Sequence, residues 1–377
     1  MNYNSFLVIS RRALFVSCLA VLPGCRPRRG SGFPGYAFVA NEEGQAVAAV
    51  DLTSFALARH IPLGTSPTAV VAHPGRGAVY VLSPLAGTIH EIDPSRLAVR
   101  RKLSVARSAV SMRLVNDGSA LWALCVDPPR LARVSLERFQ VGAYIPLPAP
   151  PVDFDLTQDG RLSAASYGTA GLVSFLDLQT GRARAPVRAG DNIGTVRFRS
   201  DGKHLLAADL GRRVVSILEA PAGRVITNLP VAVKPENFCV KADGGEVFIT
   251  GEGMDAVVIL DPYRTQAAET LLAGRAPAAM AISNSPQYLF VTNPPSGNVT
   301  IFDIDTRRAV AVVAVGAEPA YVTITPDDQY ALILNRGSGN MAVIRIAAII
   351  PGRARRAALF TTIPVGSKPV SAAVLGV

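Results

Sequence analysis

The sequence predicts an all-β fold, a single closed β-propeller of four-stranded blades, on three observations. First, Pro67, Ala109, Pro151, Ile193, Pro235, Pro277 and Pro319 open similar segments, each 42 residues after the one before. Second, short runs within each segment alternate apolar and polar residues with period two, and Gly, Pro, Asn and Asp punctuate them. That is the pattern of strands joined by turns. Third, the last segment is incomplete. Pro369 follows Pro319 after 50 residues and opens a first strand with nothing behind it, while 36–64 supplies YAFVAN, QAVAAVD and LARHIPL without a first strand of its own. Pairing the two fragments completes the first blade with the C-terminal strand and leaves no free edge between the termini. The count is then eight blades; it is seven if 36–64 packs as an irregular flap.

Taken in order, residues 1–25 read as a leader outside the fold. Arg11 and Arg12 precede the apolar stretch 13–22, which is too short to span a bilayer permanently. Leu22-Pro23-Gly24-Cys25 resembles a bacterial lipoprotein cleavage box, which implies lipidation of Cys25, and Ser10-Arg11-Arg12 resembles a twin-arginine export signal. A plain signal peptide cut near residue 31 is the rival. Residues 26–35 form a flexible, basic linker, and 36–377 form the propeller. These readings place the chain outside the cytoplasm, in the periplasm or at the cell surface, held to a membrane by its N-terminal lipid. Arg26 after the lipid site favours an outer membrane where the host has one.

Each repeat then follows one grammar. Asp117, Asp159, Asp201, Asp243 and Asp327 stand eight residues after their anchors, in the turn before the second strand, and four of them are followed by Gly. Asp93, Asp177, Asp261 and Asp303 follow the third strand. The one length anomaly lies in the last full repeat, where about eight extra residues within 347–357 carry Arg353, Arg355 and Arg356.

Side chains three and five residues after each anchor are apolar throughout, as packing between blades demands. Those at two, four and six are mixed and point towards a central channel. There Asp153 and Asp155 are flanked by Arg113 from the repeat before and Arg197 from the repeat after. Two readings stay open: a water-filled channel whose charges pair with neighbours, and a pocket for an anionic or zwitterionic small molecule. A second candidate face is the turn between the second and third strands, with Tyr167, Asp209, Arg212, Asn293 and Asn335.

Composition excludes several classes. The chain has 377 residues, 49 % hydrophobic and 18 % charged, which is unlike a disordered chain. Its net charge of +10 is spread out, with neither a continuous basic stripe nor stacking aromatics, so nucleic acid is not expected as a partner. His60, His73, His90 and His204 occupy four different repeat positions, and no metal-ligand spacing links them to the cysteines. No metal, cofactor or catalytic residue is assigned, and a monomer is expected.

The phrases VAHPGRGAVYV, YLFVTNPPSGNVTIFDIDTRRAV and PAYVTITPDDQYALILNRGSGN resemble the YVTN-type (YncE-like, lactonase-like) β-propellers of secreted bacterial proteins, over roughly 36–377. The resemblance implies the propeller fold and leaves the activity undecided. It suits a non-catalytic binding scaffold for a small anionic ligand, an envelope polymer or a protein partner. The alternatives it carries are a lactonase-like hydrolase with an axial site and a haem-related periplasmic propeller.

Overall fold

The computed structural model describes residues 32–115, 117–264, 269–349 and 358–376. The leader, Cys25 and the Arg353–Arg356 insertion lie outside the described residues.

Eight antiparallel four-stranded sheets form the ring. The first strands of successive blades touch one another all the way round, from Ala69–His73 through Pro319–Ile324 to Pro369–Gly376 and back. Seven blades are consecutive in sequence. Blade 1 is composite: Ala56–Pro62, Ala46–Asp51 and Gly35–Asn41 are followed inward by Pro369–Gly376. The closing strand pairs antiparallel, Gly35 opposite Gly376 and Asn41 opposite Pro369, with a register shift between Ala40 and Asn41. The Tyr321 hydroxyl donates to the Ala372 carbonyl at 3.0 Å, so blade 8 also holds the closing strand.

Burial follows from the sequence period. The second strands Ala78–Ser83, Tyr288–Asn293 and Tyr330–Asn335 are buried along their whole length, because they are sandwiched within their own sheet and between two neighbouring blades. Eight hydrophobic clusters result among the described residues, one for each blade-to-blade interface. Tyr80, Phe38, Phe154, Phe175, Phe248 and Phe290 are the largest side chains sealed in them, and each contributes about 1.5–3 kcal/mol of transfer free energy.

The aspartate turns have one geometry. Oδ1 of Asp117, Asp159, Asp201, Asp243 and Asp327 accepts the backbone N–H two residues on, at 2.8–3.2 Å. Gly follows the first four with positive φ, and Asp328 adopts the same left-handed backbone in the fifth (φ 55°), where Gly would be easier.

Two departures from the sequence reading have plain causes. The outer strand of blade 4 is split into Arg182–Ala183 and Val187–Arg188, with Pro186 interrupting the ladder. Phe33, placed by the sequence in the linker, packs in the core beside Val50, Leu52 and Phe55, so the compact unit begins at Gly32. A single aromatic among Gly and Pro residues has no periodicity to announce it.

Candidate functional site

The first strands of blades 2 to 5 bring four residues to one repeat position, four after the anchor: Val71, Arg113, Asp155 and Arg197. Asp153 lies two residues before Asp155 on the same face. The structure therefore assembles Arg113, Asp153, Asp155 and Arg197 as the sequence reading places them. Their side chains keep 15–31 % of their surface open, so a solute can reach them.

The two arginines are held differently. An Arg197 Nη1 hydrogen bonds to Asp153 Oδ2 at 2.6 Å and to its own neighbour's carbonyl, Val196 O, at 2.5 Å. Asp153 Oδ2 also accepts the Val196 N–H at 3.1 Å, and Asp155 Oδ2 accepts the Phe198 N–H at 2.8 Å. Both carboxylates thus stitch blade 4 to the backbone of blade 5. Arg113 is less completely paired. Its Nε donates to the Phe154 carbonyl at 2.8 Å, while its nearest carboxylate oxygens lie at 3.6 Å (Asp155) and 3.8 Å (Asp153).

Electrostatics follow that difference. Burial, and then the Arg197 charge, push the Arg113 guanidinium below its ordinary pKa against the pull of both carboxylates. Burial also opposes the charge on Arg197, but Asp153 and then Asp155 outweigh it and move its pKa up. Arg113 is the under-compensated cation of the cluster.

A cavity of about 430 Å³ opens over Arg113, with Val71, Ala72, Leu114, Leu156 and Asp155 on its walls. A second of about 290 Å³ lies on the other side of Asp155, lined by Arg197, Arg199 and Lys241. Leu114, Leu156 and Ala72, assigned by the sequence reading to blade packing, do pack against the blade-to-blade clusters, and each also lines the first cavity. Comparing one repeat position around the ring would have found Val71 beside Arg113.

The other candidate face divides. Asp209, Asn293 and Asn335 are fully buried. Asn335 Nδ2 donates to the Val315 carbonyl at 3.0 Å and to Asn340 Oδ1 at 2.7 Å, and Asn293 Nδ2 donates to Asn298 Oδ1 and Thr300 Oγ1. Asp209 accepts the N–H groups of Asp191, Asn192, Gly211 and Arg212 at 3.0–3.2 Å. Asn41, at the same position in blade 1, donates to the Val365 carbonyl at 2.6 Å. Asp209, Asn335 and Asn41 tie the loop entering their blade to its second-strand end, and Asn293 ties that end to the third strand; all four are committed to the framework. Tyr167 is 4 % exposed, and burial pushes its phenol up to about 12 against the influence of Ser174. Of the five, the Arg212 side chain is exposed.

The histidines stay apart. His73 Nε2 lies 2.9 Å from the Gly118 carbonyl, His204 pairs with Asp201, His60 is on an exposed outer strand and His90 is buried. Among the described residues no group of three His, Cys, Asp or Glu could hold a metal ion. Cys125 and Cys239 are free, and burial pushes the Cys239 thiol up to about 12.

Neither a protein-family model nor a curated protein sequence matches the chain. Solved structures do. Dihydro-haem d1 dehydrogenase NirN, in complex with DHE, is similar over 94 % of this chain and 78 % of its own, with a TM-score of 0.70 and 15 % identity. Hydrazine synthase of Kuenenia stuttgartiensis is similar over 86 % of this chain and 99 % of its own, at TM-score 0.56 and 19 % identity. A functionally unknown protein of Desulfotomaculum acetoxidans covers 90 % of this chain and 99 % of its own, at 0.61 and 12 %. At these identities the likeness is one of fold, an eight-bladed propeller with neighbours among bacterial propeller proteins.

Proposed function

We propose that the chain is an exported, lipid-anchored propeller that acts as a non-catalytic scaffold and binds a small acidic ligand at the channel wall. The observation that carries this reading is Arg113, a half-buried cation on the cavity wall with no carboxylate oxygen within 3.5 Å. A half-buried guanidinium with no carboxylate at hydrogen-bonding distance can take a ligand acid group in a charge-assisted pair. The leader motif and the YVTN-type phrases support the exported, membrane-held setting. Catalysis has less support: hydrolysis needs a base poised over a substrate, and Asp155 holds a backbone N–H of the next blade with one oxygen.

The test is native mass spectrometry of the protein released gently from its host membranes. The expected result is an acylated N-terminal cysteine and a reproducible small-molecule adduct that Arg113→Ala abolishes. An adduct retained by Arg113→Ala would overturn the axial site.

The likeness to NirN favours examining a second reading, a haem-related propeller. The wall position that carries Arg113 and Asp155 has neither His nor Met in any blade, so it is poor in axial ligands for a haem iron. At the wall position that carries Arg113 and Asp155, the one soft donor is Cys239, with its thiol protonated near neutral pH. Protein made in a haem-replete host should therefore show no Soret absorption; a stoichiometric Soret band would restore this reading.

A further inference from the structure

The charge count at the wall narrows the ligand class. Two arginines and two aspartates make a cluster with no net charge, so a purely anionic ligand approaching Arg113 also meets Asp155. Each of these two residues keeps a group in hand. Arg113 uses Nε on the Phe154 carbonyl, and neither terminal nitrogen has an acceptor within hydrogen-bonding distance among the described residues. Asp155 uses Oδ2 on the Phe198 N–H, while Oδ1 stands 3.6 Å from Arg113 Nε and accepts no hydrogen bond among the described residues. Donors and an acceptor that are held in ion pairs of 3.6 and 3.8 Å, but in no hydrogen bond among the described residues, therefore lie side by side.

Apart from Thr157, the other side chains on the cavity walls are apolar. Val71, Ala72, Leu114 and Leu156 are each half-buried and turn their remaining surface to the same space of about 430 Å³. That volume lies in the range of sites for small molecules, which combine apolar walls with a few convergent polar groups. The second cavity beyond Asp155 differs in kind, since Arg197, Arg199 and Lys241 line it. Those three cations share its walls with Leu156, Phe198 and Val240, whereas Arg113 is the one cation on the walls of the first.

We propose that the site takes a zwitterion with an apolar side chain, an apolar α-amino acid, its carboxylate on the Arg113 guanidinium and its ammonium on Asp155 Oδ1. The side chain lies against Val71, Ala72, Leu114 and Leu156. This rests on the reading of Arg113 as a ligand site and adds the ammonium contact to it. Hydrogen bonds to charged groups discriminate strongly, because an analogue that lacks one leaves a desolvated partner unmet. Each half of the zwitterion should matter.

Calorimetric titration of the full chain with three probes separates the possibilities: L-leucine, 4-methylpentanoate, which lacks the ammonium, and 3-methylbutylamine, which lacks the carboxylate. The expected result is binding of L-leucine, with each half-ligand weaker by roughly tenfold to a hundredfold. Asp155→Asn keeps an acceptor for the Phe198 N–H and should erase the preference for L-leucine over 4-methylpentanoate. Equal binding of L-leucine and 4-methylpentanoate by the unaltered protein would overturn the zwitterion and leave the acid site standing. Binding of neither acid would overturn both. The probe series needs no variant, so an Asp155→Asn that fails to fold does not remove the test.

Discussion

Asp209 and Asn335 stand at one repeat position and hold the same loop with opposite hydrogen-bond chemistry. The asparagine donates to a loop carbonyl, and the aspartate accepts loop N–H groups. Asp209→Ala would leave several amides unmet, and a loss of about 1–3 kcal/mol is expected, read as a lower midpoint in urea. Its exposed neighbour Arg212→Ala should change stability by less than about 0.5 kcal/mol in the same assay. His90 makes a second residue-level prediction. Burial first, and Lys102 second, push its pKa from 6.5 to about 4. The unfolded chain therefore takes up a proton that the folded one resists. Stability contributed by neutral His90 is complete above about pH 6.5 and falls as the pH drops towards 4, by at most about 3 kcal/mol. His90→Leu should flatten that slope in denaturant titrations across the window; an unchanged slope would assign it to other groups. Residues of this kind were half legible. Asp209, Asn293 and Asn335 were visible as polar residues at a fixed turn position. A side chain tucked under a loop and one facing solvent have the same sequence signature, so their burial was not.

Among the elements, the strand Pro369–Gly376 has the largest consequence. It covers the inner edge of Gly35–Asn41; Tyr321 holds the strand itself and the Asn41 side chain holds the loop that enters it. Deleting it bares an edge of unpaired N–H and C=O groups between two hydrophobic interfaces. The expected outcome is a protein that self-associates in size-exclusion chromatography and unfolds at lower temperature. A truncated chain that stays monomeric with an unchanged midpoint would show that the strand is dispensable. The seven contiguous blades and this closure were legible because a period of 42 residues repeats the same apolar alternation, and because an orphan first strand needs a partner. The split outer strand of blade 4 was signalled only by Pro186. Outer strands face solvent along much of their length, and their weak patterning fixes little.

At the scale of the molecule, eight similar blades make an uneven ring. The position four residues after the anchor carries Val71, Arg113, Asp155 and Arg197 on one arc, then Cys239, Ala281, Thr323 and Ala373 on the other. At this position charge is confined to three successive blades, and with it the candidate site. The cluster's members could be named from spacing alone, because neighbouring blades must bring equal positions together. The cavity could not, since it depends on how far Leu114 and Leu156 fall short of filling the gap between blades. The composite blade has a further consequence for how the ring is made. Between Pro62 and Pro369 the growing chain lays down seven complete blades while the first three strands wait without their innermost partner. Their bare edge persists for the whole of that interval, and the pairing that ends it has the longest loop to close of any in the fold. Ring completion is therefore expected late in folding, and until then those three strands present an edge open to the wrong partner.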